Sequence, residues 1–126
     1  MRRYLGEAVV AGVALVMAGS AAAATTGKAA EGAKLFQQRC VSCHTVKGNA
    51  GIGPDLRGVV GRKAGAGSFA RYTPALKKTN LTFDVAELDR FLAAPQRVAP
   101  GSAMMISTPR QEDRAHLIAF LATLKK

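Results

Sequence analysis

The sequence predicts an all-α domain of short helices and loops. Three observations carry that prediction. Apolar residues recur at helical spacing in several stretches, and no stretch alternates convincingly in the manner of a strand. The segment from Lys47 to Gly67 is too rich in glycine, with Pro54 among them, for a long helix or strand. Cys40-Val41-Ser42-Cys43-His44 contains the only two cysteines of the chain, three positions apart, with a histidine directly after the second. That is the spacing that attaches a c-type haem. Short helices then have a large apolar plate to pack on and need less contact with one another.

The chain of 126 residues opens on the basic pair Arg2 and Arg3. An apolar run from Ala8 to about Ala18 follows, with Glu7 at its edge, and then the small residues Gly19-Ser20-Ala21-Ala22-Ala23-Ala24. This is the layout of a secretory signal peptide. Val9 to Ala24 falls short of the ~20 apolar residues of a membrane span, so cleavage near Ala22–Ala24 is expected rather than an uncleaved anchor. Residues 1–24 are therefore assigned to a signal peptide and 25–126 to one domain. Export agrees with the motif, because bacteria attach haem covalently outside the cytoplasm.

Lys and Arg number 18 against 8 Asp and Glu, a formal net charge of +10. Cleavage removes Arg2, Arg3 and Glu7, which leaves the mature chain near +9. A balance this basic raises nucleic acid as a partner. The charges are scattered, however, no recognition helix or basic arm is visible, and the chain is exported. Steering onto acidic protein partners or anionic lipid fits better.

The elements follow in order. Lys28 to Arg39 is predicted helical, with Gly32, Leu35, Phe36 and Cys40 on one face. Gly32 inside a helix costs ~1 kcal/mol against Ala, which points to the close approach of another helix. Thr73 to Thr79 forms a short helix. Asp84 to Ala93 is a better one, with Val85, Leu88, Phe91 and Leu92 on one side and Pro95 marking its end. Thr108 begins the last helix, with Pro109 at the first helical position and Gln111 where a capping-box partner belongs. Leu117, Phe120, Leu121 and Leu124 form its apolar stripe, and Lys125-Lys126 complement its negative end.

A cysteine pair at this spacing has two other uses, as a redox dithiol and as half of a zinc site. A redox dithiol wants a βαβ pattern nearby, and none is visible. A zinc site needs two further ligands, but His44 and His116 are the only histidines and His44 follows Cys43 too closely. With haem attached, each thiol bonds one vinyl carbon and His44 reaches the iron as proximal ligand. The other axial position is open to a soft thioether from Pro100-Gly101-Ser102-Ala103-Met104-Met105, where a Pro-Gly turn brings a loop over the haem. Methionines elsewhere are usually core filler.

Taken together, these segments resemble a class I cytochrome c of the mitochondrial and bacterial cytochrome c2 type, over nearly all of the mature region. The resemblance rests on Cys40 to Val46, on Gly53-Pro54-Asp55-Leu56 with Gly61-Arg62-Lys63-Ala64-Gly65, on Tyr72-Thr73, on Pro100 to Met104 and on Leu117 to Leu121. It implies the small class I fold wrapped round one haem c, bound through Cys40 and Cys43. It implies His44 and Met104 as the iron ligands, with Met104 favoured over Met105 by the Pro-Gly-x-x-Met spacing. Pro54's carbonyl would accept the His44 N–H, Arg62, Tyr72 and Ser102 would stabilise the propionates, and Gly32 and Phe36 would cross Phe120 where the terminal helices meet. Phe83, Phe91 and Leu76 stand where the family has tryptophan, tyrosine and asparagine, which makes the pocket drier.

The function expected is that of a periplasmic electron carrier and not an enzyme, since a six-coordinate iron has no open position for a reactant. Family resemblance supplies a bc1-type complex or periplasmic dehydrogenase as donor, an oxidase or reaction centre as acceptor, and a monomeric state. Lys34, Arg39, Lys47 and Arg97 are candidates for a cationic ring at the haem edge. Gln96 and Ala103 lack the lysines often found there, so docking is expected to be weaker or differently centred. His116 is expected at the surface or half-buried and not as a ligand. The alternatives are a haem peroxidase or gas-binding protein with a labile methionine, and a dedicated redox subunit of one dehydrogenase.

Overall fold

The computed structural model of the chain describes residues 27–126, so the expected signal peptide at 1–24 lies outside the described residues. Five helices follow in order: α1 Ala29–Arg39, α2 Pro74–Lys78, α3 Val85–Ala93, α4 Pro95–Val98 and α5 Gln111–Thr123. Among the described residues there is no strand, only an isolated antiparallel bridge between Lys63 and Thr82. The all-α expectation is met.

The frame of the fold is the crossing of α1 and α5. A Cβ on Gly32 would collide with the carbonyl oxygen of His116 and lie 2.8 Å from Phe120 Cβ. Only glycine lets the two backbones come this close. Phe36, 1% exposed, packs its ring 5.4 Å from that of Phe120. Lys28 caps α1 with no side chain of its own. Its backbone N–H is instead donated to Nδ1 of His116 at 2.8 Å, which ties the start of α1 to α5.

Helix α3 starts where Asp84 Oδ1 accepts the N–H of Glu87 at 2.8 Å, an N-cap that satisfies one of the helix's orphan donors. Leu88, Phe91 and Leu92 are buried against α5 as expected. Val85 is not: it is 57% exposed, because the first turn of α3 projects beyond the core. The chain then does something the sequence did not predict. Pro95 ends α3 but also opens α4 at its first position, where its fixed φ suits a new helical turn.

The last helix begins two residues later than expected. Thr108 is buried, but its N–H is donated to Leu92 O at 2.7 Å and its carbonyl accepts from Arg114 Nη1 at 3.1 Å. Those tertiary bonds hold Thr108 outside the helix, and Arg110 becomes an N-cap without a side-chain hydrogen bond. The core between the helices consists of Phe36, Leu88, Phe91, Leu92, Leu117 and Leu121, with Val59, Ala64 and Phe83 from the loops. The Phe83 and Phe91 rings lie 5.1 Å apart.

Candidate haem site

The end of α1 becomes a tight turn that delivers the motif. His44 N–H and Cys43 N–H are both donated to Cys40 O, at 2.8 and 3.1 Å. Both cysteines are half-buried. Burial pushes the Cys40 thiol up, against the neighbouring Arg39 charge, and Cys43 adds to the rise. A group of three or more His, Cys, Asp or Glu does not form among the described residues, so zinc finds no ligand set around the pair.

The loop after the motif turns back to fix the histidine. Gly53 N–H is donated to Cys43 O at 2.7 Å and Leu56 N–H to Thr45 O at 2.9 Å. Pro54 O then lies 2.9 Å from His44 Nδ1. A carbonyl only accepts, so Nδ1 carries the proton and the lone pair is left on Nε2. A Cβ on Gly53 would sit 2.7 Å from His44 Cε1, so the backbone cradles the ring. The knot of this loop is Asp55. Its carboxylate accepts from Thr45 Oγ1 at 3.0 Å, Gly48 N–H at 2.8 Å, and Arg57 N–H and Nε at 3.1 and 3.0 Å. Burial works to raise the Asp55 carboxyl, but these bonds from Gly48, Arg57 and Thr45 outweigh it and hold it below the usual range.

Pro54, Arg62 and Tyr72 come together with Asp55, Arg57 and Lys126 around one cavity of about 240 Å³. The Arg62 guanidinium meets only carbonyl oxygens there, those of Asp55 at 3.3 Å and Arg57 at 3.4 Å. Among the described residues no carboxylate pairs with its charge, which suits an anionic ligand group. Ser102 does not line this cavity. It is buried, and its Oγ accepts from Gln96 Nε2 at 3.2 Å. Met104 is half-buried against the core, whereas Met105 is exposed. The ring expected at the edge is partly neutralised: Lys34 pairs with Glu31 at 3.1 Å and Arg39 lies 3.9 Å from Asp113, while Lys47 and Arg97 make no ion pair among the described residues. His116 is half-buried and occupied by Lys28.

Sequence reasoning missed Gln96 as an interior partner. Its amide is folded into the loop of residues 100–104 and not turned to the rim. The only cue was an uncharged amide where a lysine was expected.

Two thiols, an oriented imidazole, a half-buried thioether and an uncompensated guanidinium on a helical frame fit a haem c. Together they define a class I c-type cytochrome. The cytochrome c family profile matches residues 29–125, and the chain belongs to that family. It is 44% identical over 115 residues to the cytochrome c2 of Rhodomicrobium vannielii, covering 89% of this chain and 90% of that one. It is 37% identical over 99 residues to the cytochrome c of Tetrahymena pyriformis, covering 78% and 90%. The solved structure of cytochrome cH from Methylobacterium extorquens superposes with a TM-score of 0.73 at 40% identity, covering 77% of this chain and 99% of that one. The chain is thus a mono-haem electron-transfer cytochrome, with haem c bound covalently through Cys40 and Cys43.

Proposed function

We propose that the mature chain is a periplasmic carrier of single electrons, with iron held between His44 Nε2 and Met104. The observation that carries this reading is the His44–Pro54 hydrogen bond. It leaves one ring nitrogen for a metal, fixes the plane of the imidazole and raises its basicity. Haem supplies the one-electron couple. The chain orients it, keeps it dry and steers it. Phe83 and Phe91 belong to the apolar core, and Leu76 packs against it. Arg62 and Tyr72 are suited to holding propionates, and Ser102, which accepts from Gln96, keeps its own hydroxyl proton to donate. With both axial positions claimed by side chains, no site is left for a reactant, so the protein is a carrier and not an enzyme.

The partners proposed are a bc1-type donor and an oxidase or reaction-centre acceptor, met by a monomer through a basic face. Lys47 and Arg97 are the unpaired charges of that face, which makes it a device for encounter more than for tight binding. Export is supported by the leader read from the sequence.

The test is to purify the exported protein and record its mass and its oxidised and reduced spectra. The expected mass is that of a chain cut near Ala22–Ala24 with one haem attached. The ferric spectrum should show the near-infrared sulfur-to-iron band, and Met104→Ala should lose it. A high-spin wild type without that band at neutral pH would transfer the argument to the peroxidase or gas-binding reading.

A further inference from the structure

We infer that Gln96 is the positioning residue for Met104: one amide side chain holds the loop that presents the thioether. The inference rests on Met104 as the iron ligand and adds what keeps it in place. Residues 100–104 have almost no backbone support. Ser102 N–H to Ala99 O at 2.9 Å is the one backbone–backbone hydrogen bond they make. Gln96 supplies the rest from both ends of its amide. Nε2 donates to Ser102 O at 2.8 Å, to Met104 O at 2.9 Å and more weakly to Ser102 Oγ at 3.2 Å. Oε1 accepts the Gly101 N–H at 3.3 Å.

The chemistry of this clamp is specific to an amide. Lysine at this position donates but cannot accept, and glutamate accepts but cannot donate, whereas glutamine does both. The clamp is also well anchored. Pro95 is buried and opens α4 with a preset φ, so Gln96 projects from a turn with little freedom. Gly101 sits at φ +90°, a conformation that glycine adopts without strain and that aims the N–H of the loop at the amide oxygen. The uncharged residue at position 96 is therefore not a missing docking charge. It trades a rim cation for control of the distal loop.

The test is a titration of the ferric, haem-loaded mature protein with imidazole, which competes with Met104 for the iron. In a two-state loop, apparent affinity for the competitor rises with the population of the open form. Gln96→Leu, which keeps the bulk and removes the bonds, should bind imidazole about tenfold more tightly, the equivalent of about 1.4 kcal/mol. Thermal unfolding followed by far-ultraviolet dichroism should shift far less than the imidazole constant, which a purely structural role would not produce. Should Gln96→Leu fail to fold, Gln96→Glu keeps an acceptor for the Gly101 N–H but loses every Nε2 donation, and should move imidazole affinity in the same direction. An affinity within about twofold of the parent in the folded variant overturns the clamp while leaving the ligand assignment intact. A parent without the near-infrared sulfur band overturns both.

Discussion

Gly32→Ala opposes two effects of similar size, and the structure decides the sign. Alanine is the better helix former by ~1 kcal/mol in a helix interior. If α1 were an isolated helix, the substitution would stabilise it. In the fold, the new methyl group would meet the carbonyl oxygen of His116 and lie 2.8 Å from Phe120 Cβ. The carbonyl belongs to the backbone of a regular helix and cannot swing aside, so α1 and α5 must separate. Separation loosens the Phe36–Phe120 contact and lengthens the bond from Lys28 N–H to His116. Overpacking of this kind costs about 1–3 kcal/mol, and the lengthened hydrogen bond adds about 1 kcal/mol. Subtracting the gain in propensity leaves a net loss of about 1–3 kcal/mol. For a domain of this size each kcal/mol moves the midpoint by about 4–8 °C, so the expected fall is on the order of 5–20 °C. The assay is thermal unfolding of the haem-loaded ferric protein by far-ultraviolet dichroism. Ala30→Gly, on the exposed side of α1, is the control in which propensity acts alone. An unchanged or raised midpoint in Gly32→Ala would refute the close crossing.

Two further outcomes follow from the polar knots. Asp55 is held below the usual carboxylate range, so its ionised form stabilises the fold above its unfolded value of about 3.9. That contribution is lost as pH falls through the lower folded value. Asp55→Asn should therefore be less stable than wild type near pH 7 by urea unfolding, with the gap closing below about pH 3. A gap independent of pH would count against the knot. Arg114, 11% exposed, donates to Asp89 Oδ1 at 2.7 Å, Pro109 O at 2.7 Å and Thr108 O at 3.1 Å. Arg114→Met should cost about 2–4 kcal/mol by urea unfolding, and a double-mutant cycle with Asp89→Asn should show coupling. A loss below about 0.5 kcal/mol would place these bonds among ordinary surface contacts.

What was legible in the sequence was local. The α1, α3 and α5 stripes repeat at helical spacing, and Cys40, Cys43 and His44 form a covalent unit whose spacing carries its own chemistry. The exposure of Val85 was not legible, since a stripe says which face is apolar but not how far the core extends along it. Helix α4 has four residues and no period to read. Thr108 has capping chemistry, but Leu92, remote in sequence, and the side chain of Arg114 take up its backbone. Gln96 misled for the same reason. Its meaning lies in a loop that folds back over it, and a count of charges at the rim has no way to register an amide pointing inward.

The two ligand-bearing segments are secured in different ways, and the difference has a direction. His44 follows a helix end, sits in a turn bonded to Cys40, and has its ring tied to Pro54 by a loop knotted at Asp55. Met104 lies in a segment with one backbone bond and one side-chain clamp. Local openings start where hydrogen bonds are few and contacts exposed. On the proposed ligation, the distal side therefore opens while the proximal side stays closed. Any competitor for the iron enters by displacing the thioether, and the covalent attachment at Cys40 and Cys43 keeps the haem in place meanwhile. A carrier built this way varies its ligand lability through the residue at position 96 without disturbing the α1–α5 frame that makes it fold.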